Sequence, residues 1–310
     1  MGRGCGLMCA LLAVVVFTPP VLAEETELAD WARARWESYA VDEPASLTGA
    51  LHPDGGTVFM GTPWDGFHYG EHSEGAWDLL RDWMTLDAVE VLEERVLSPG
   101  RLVWGRLAPR GSTTQTGEPV ELAVASALVF AADGRIPAED FIVLPGLDSG
   151  NPAPRWEEPL NPDAYAHHPA EGRTGMELWW RNGLAVMIVG VRAPGTGWVS
   201  VGFDPQRMML GADFVIGAVR EGDLIVEDHH GHLPTGHRRD SHEDALAAGG
   251  QIADGAVTLQ FVIPLHSGDQ DDNTLTPGES YTVLLAYHRS STSLTTRHTS
   301  RSSLTITLDD

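Results

Sequence analysis

Residues 197–203 read GWVSVGF and residues 209–217 read MLGADFVIG. In the first run Val199, Val201 and Phe203 alternate with Ser200 and Gly202. Side chains on a strand point to opposite faces in turn, so this alternation predicts a strand with one buried face. Working outward, strand-like runs at 177–180, 184–191, 213–219, 224–227, 256–263, 281–287 and 304–308 are separated by Gly, Pro and Asp turns. Eight short strands with regular turn signals predict an all-β sandwich over 176–310.

Upstream, residues 148–175 are rich in Pro, Gly and polar residues without a sustained period, as expected of a linker. Residues 24–147 differ in character. Leu28, Trp31, Ala32, Trp36 and Tyr39 fall at helical spacing, and a second helix is expected from Ser73 through Trp77, Leu80, Trp83 and Met84. Strand-like runs follow at 89–96, 101–107, 120–130 and 141–143. Helices first and a strand meander after predict an α+β unit with helices on one side of a curved sheet.

The chain has 310 residues and a formal charge of −24, and all 20 of its basic residues are Arg. This acidity argues against nucleic acid or an anionic membrane surface as partner, since both need a cationic face. Residues 1–23 read as a secretory leader: Arg3, an apolar run from Leu7 to Phe17, then Val21-Leu22-Ala23 before a cleavage point at Glu24. An exported protein, periplasmic or extracellular, is expected. Both cysteines, Cys5 and Cys9, fall in that leader, so the mature chain would hold no disulfide and no thiolate site.

Residues 176–310 resemble a DOMON domain. The resemblance is carried by the 197–203 and 209–217 runs, by Val226-Glu227-Asp228, Pro234-Thr235-Gly236-His237 and Leu275-Thr276-Pro277-Gly278, and by the closing Ala286-Tyr287 and His298-Thr299-Ser300-Arg301. It implies an extracytoplasmic β-sandwich that binds haem or sugar. Transferred by motif, the axial ligands of a haem b would be Met209 and His298, with Met208 and His288 as competitors. Met/His ligation raises the iron potential and suits electron transfer. No CxxCH occurs, so covalent haem attachment is not expected.

Residues 27–145 resemble the NTF2-like (SnoaL-like) superfamily, through Trp36, Tyr39 and Asp42, the Gly61–Gly70 segment, and the VFAADGRI ending at 129–136. This implies a cone-shaped α+β domain whose mouth can bind a ligand, and which often forms a homodimer through its sheet. Pocket candidates are Trp31, Tyr39, Asp42, Trp64, His68, His72 and Trp104. A His with Asp42 would permit general acid–base work.

Two further clusters stand out. His229, His230, His232, His237 and His242 crowd residues 228–242, as a weak metal site or a solvated loop. Asp269, Asp271, Asp272 and Asn273 form an acidic turn lacking full EF-hand spacing. The expected function is a haem electron-transfer module joined to a ligand- or partner-binding domain, with an unidentified redox partner, rather than an enzyme. The rivals are a non-redox carbohydrate or small-ligand module and a SnoaL-like activity in the first domain.

Overall fold

The computed structural model describes residues 21–40, 51–60, 66–69, 71–97, 101–143, 160–162, 165–171 and 174–310. In the first half, strands β1 (Leu51–Met60), β4 (Leu102–Thr113), β6 (Val124–Val129) and β7 (Ile136–Val143) carry apolar residues at both parities. Phe59 faces away from Val58 and Met60, Val103 away from Leu102 and Trp104, and Phe141 away from Ile142; all are buried. A sheet so composed needs cover on both faces. With β2 (Gly66–Tyr69), β3 (Met84–Leu97) and β5 (Pro119–Glu121), these strands form a seven-stranded sheet in the order β2-β1-β7-β6-β4-β3, with β5 beside β4.

Helices α1 (Val21–Ser38) and α2 (Glu71–Trp83) cover one face. Leu28, Ala32 and Trp36 from α1 and Trp77 and Leu80 from α2 pack onto Phe59, Val103, Leu128 and Phe141. A Cβ on Gly105 would sit 2.4 Å from the Trp36 ring, so this strand position admits the indole only as glycine. Arg35 also faces inward and forms a two-pronged ion pair with Glu139, at 2.9 and 2.6 Å. Tyr39 donates its hydroxyl to the same carboxylate at 2.6 Å, and Thr57 does so at 3.2 Å. The guanidinium lies 5.4 Å from the Tyr39 and Trp77 ring centres. A buried ion pair stands only when its remaining donors and acceptors are satisfied, and this one is.

The second half has two antiparallel sheets. One holds β15 (Ala247–Ala253), β16 (Ala256–Pro264), β10 (Val186–Pro194), β9 (Glu177–Asn182) and β8 (His167–Glu171), in that order. The other holds β14 (Gly236–Arg239), β13 (Asp223–Leu233), β12 (Asp213–Arg220), β11 (Val199–Phe203), β17 (Ser280–Tyr287) and β18 (Ser300–Thr307). Val199, Val201, Phe203 and Val215 of one sheet share a core with Val189, Val191, Leu259 and Phe261 of the other.

The halves are joined by a continuous apolar layer. The second face of the seven-stranded sheet (Val58, Met60, Trp104, Ala127) packs against Trp179, Val186, Ile188 and Val262. The order is therefore helices, sheet, sheet, sheet. Asp140 pins the junction: its carboxylate accepts the backbone N–H groups of Leu184, Ala185 and Val186 at 2.8, 2.8 and 2.9 Å. A Cβ on Gly183 would fall 2.4 Å from that carboxylate.

Three expectations change here. The stretch read as linker contributes β8, and Tyr165 and Leu160 pack into the joining layer. Trp104 faces the second half, not a cone pocket. The sheet face through which a homodimer was expected is covered by the chain's own second half, so pairing there would have to displace it.

Candidate functional site

Period two divides the six-stranded sheet as it divided the quoted sequence. Opposite residues of an antiparallel pair share a face. Ser200 lies opposite Ile216 and Ala286, Gly202 opposite Phe214 and Leu284, and Phe214 opposite His229. These residues point away from the core that holds Val199, Val201 and Phe203. Ser200, Phe214, Ile216, His229 and Ala286 make the floor of a cleft of about 790 Å³ on the sheet's outer face, within the size range of cofactor sites. Its walls are the loop carrying Met208 and Met209, the strand β14 with His237 and Arg238, and the 295–301 segment with Arg297, His298 and Arg301. An adjoining hollow of about 290 Å³ is lined by Met209, Phe214, Leu284, His298 and Arg301.

Met209 and His298 thus line one cleft from positions far apart in the chain. Met209 packs with Trp198, Phe214 and Ile216, whereas Met208 is 45% exposed and takes a left-handed backbone, φ 56°. The Met209 loop is clamped to β13: Gly211 donates its N–H to the Gly231 carbonyl at 2.7 Å, and Gly231 donates to Ala212 at 2.8 Å. A Cβ on Gly231 would lie 1.6 Å from the Met209 carbonyl oxygen, so the approach requires glycine. His288, the competing imidazole, instead caps a turn, its Nδ1 accepting from Ser290 and Ser291 at 3.1 and 2.7 Å. The Trp198 indole donates to the Thr296 carbonyl at 3.2 Å and holds the segment preceding His298.

Burial, with Arg301 and Arg297 adding to it, pushes the His298 imidazole below its usual pKa. It is therefore neutral at pH 7, the form that binds a metal. His237 is pushed down to about 4 by burial, then by His229 and His232. The donors lining the cleft are thus thioethers (Met208, Met209) and imidazoles (His229, His237, His298) among aromatic and aliphatic walls, with guanidinium groups beside them. That combination fits haem b: nitrogen and sulfur for iron, apolar surface for a macrocycle, and cations for two propionates.

The histidine-rich stretch is not a solvated loop. His229 and His230 lie on β13 and are buried. His229 Nδ1 faces His237 Nδ1 at 2.9 Å, and its Nε2 faces Glu227 at 2.9 Å. His230 Nδ1 meets Asp240 at 3.1 Å, while Arg238 donates to its Nε2 at 2.8 Å. His232 stands at the exposed end of the strand. With both nitrogens engaged and an Arg against one of them, His230 is poorly set to hold a cation.

Among the described residues, the cone candidates Trp31, Tyr39, His68 and Trp104 are packed against neighbouring side chains. Tyr39 is buried in the Arg35–Glu139 network, and His68 on β2 packs its ring 5.9 Å from Phe59. His72 lies on α2, but its side chain is outside the described residues, as are Asp42 and Trp64. Trp31 lies against Phe130 at 5.7 Å. The described interior of the cone is filled by Trp36, Trp77, Phe59 and Phe141.

Residues 179–288 match the DOMON domain family. The match includes Met209 and stops short of His298. Among solved structures, a protein of ketosteroid-isomerase-like fold from Catenulispora acidiphila has 16% identity and a TM-score of 0.32, covering 36% of this chain and 83% of that one. IdmH from Streptomyces antibioticus has 22% identity and a TM-score of 0.33, covering 37% and 91%. BvnE pinacolase from Penicillium brevicompactum has 16% identity and a TM-score of 0.33, covering 38% and 84%. No curated protein matches the chain. Among the described residues no helix is long and apolar enough to cross a membrane.

Proposed function

We propose that the second half is a DOMON-type β-sandwich that binds haem b on its outer face, with Met209 and His298 as axial ligands, and passes single electrons. The observation that carries this reading is the shared cleft: a thioether and a neutral imidazole, 89 positions apart (209 to 298), line one apolar hollow. Haem b held by these two residues would supply a one-electron couple. His298 offers its lone pair without first losing a proton. Arg297 and Arg301, which line the cleft, would pair with the propionates of a bound haem and favour its state of lower positive charge. Trp198, Phe214 and Ile216 would supply apolar surface to a haem held there and keep water from it.

The first half, in this reading, is a support whose sheet packs against the second half. Export follows the leader expected at the N-terminus, and the redox partner is a protein or small carrier that docks at the cleft mouth. The carbohydrate reading has less support. Among the described residues of the second half, the exposed large apolar side chains are Met208, Leu233 and Ile252, none of them a sugar-stacking aromatic.

The test is a set of variants reconstituted with haemin. Met209→Ala and His298→Ala each lose the low-spin spectrum. Met208→Ala and His288→Ala keep it. A spectrum unchanged in His298→Ala but lost in His237→Ala would overturn the ligand assignment.

A further inference from the structure

Three carboxylates of the six-stranded sheet and its neighbouring loop converge: Asp213, Asp228 and Asp272 each bring one oxygen within 4.8 Å of the others. The register explains the first two. Asp213 pairs with His230, and Asp228 lies two residues along β13, so both side chains leave the sheet on the same face. That is the face opposite the haem cleft. Asp228 is only 2% exposed. Its Oδ2 accepts the Asp244 N–H at 3.0 Å, but its Oδ1 is buried with no donor, and so is Oδ1 of Asp213. Asp272 accepts the Ser267 hydroxyl at 2.7 Å. The Asp244 side chain lies against Asp272 as a fourth acid.

Buried carboxylates without donors are among the costliest arrangements in a protein interior. The orphaned Oδ1 atoms of Asp213 and Asp228, in a cluster of three carboxylates, mark where a positive charge is missing. We propose that Asp213, Asp228 and Asp272 bind a divalent cation, Ca²⁺. An all-oxygen, carboxylate-rich set selects a hard ion. A protein-built cage of this kind suits Ca²⁺, which takes six to eight oxygens in flexible geometry, better than Mg²⁺, which keeps its waters. Access runs through a cleft of about 780 Å³ lined by Asp244, Ser267 and Asp271, two of which touch the cluster.

The ion would tie the Asp272 loop to β12 and β13. The adjacent Asn273 already bonds that loop to the carbonyls of Phe203, Asp204 and Gly211, at 3.1, 3.3 and 2.7 Å. Gly211 belongs to the Met209 loop, so the cation would brace the cleft from behind.

The test uses the whole chain, stripped with EGTA, titrated calorimetrically with CaCl₂ and melted with and without the ion. The expected result is one site per chain and a saturable rise in Tm. Asp228→Asn and Asp272→Asn should each weaken Ca²⁺ by more than about 100-fold, since loss of second-layer partners alone costs 10–100-fold. In EGTA each variant should melt above the stripped wild type, because one buried acid without a counter-charge is gone. Absence of any heat or Tm change in the wild type on adding Ca²⁺ overturns the proposal without need of a variant. So does a Ca²⁺ response that both variants retain in full.

Discussion

Asp140 sets burial against hydrogen bonding within one side chain, and the outcome is measurable. Its carboxylate is fully buried between the two halves and accepts three backbone N–H groups from residues 184–186. Burial disfavours the charge and the three donors favour it. Burial wins, raising the group from 3.8 to about 7. The folded chain then holds this proton more tightly than the unfolded one. Stability from this group is full below about pH 4 and is lost as pH rises through about 7. A rise of about 3 units at 1.36 kcal/mol each corresponds to about 4 kcal/mol across that window. Asp140→Asn keeps the shape and removes the titration. Urea unfolding of both proteins from about pH 4 to about pH 8 isolates the group, since every other titration is common to both. Wild type should lose stability relative to the variant as pH rises. Parallel curves, or a wild type that gains on the variant with pH, would mean that the N–H donors prevail over burial and would refute the reasoning.

Other outcomes follow from the same packing. Arg35→Met leaves Glu139 buried without its partner and should cost about 3–5 kcal/mol, whereas Arg35→Met with Glu139→Leu should recover much of that; denaturant midpoints compare them. Gly231→Ala pushes its methyl into the Met209 carbonyl. It should lower haemin affinity more than it lowers Tm, because the displaced loop carries the ligand. Light scattering on a sizing column should return a monomer, since the second half covers the sheet face that a dimer would use.

Part of the second half could be read from the chain because its strands are short and bounded by turn residues, although β10 and β16 bury residues at both parities, one set in each core. Val199, Val201 and Phe203 do share the inter-sheet core, but Ser200 and Gly202 between them are buried as well, so both faces of β11 are covered. The histidine stretch was legible only as polar. Both faces of β13 near its end carry polar groups, with His229 on the cleft side and Asp228 and His230 on the other, so hydropathy gives no period there. The carboxylate triad spans residues 213 to 272 and exists only through strand register. Trp104 was misread because helical and aromatic patterns do not say which face of a doubly covered sheet a residue takes. The signal was present, though: the runs Leu102–Trp104 and Phe141–Val143 are apolar at both parities, as a sheet with two covered faces requires. Met209 and His298 came from family resemblance, and no spacing rule links positions so far apart.

The most direct test of the central claim is an absorption titration of the purified chain with haemin, followed by reduction with dithionite. The account predicts saturation at one haem per chain, a low-spin Soret band, and sharp α and β bands on reduction, as two strong axial ligands impose. A chain that stays colourless, or that binds haemin only as a high-spin species, would contradict it.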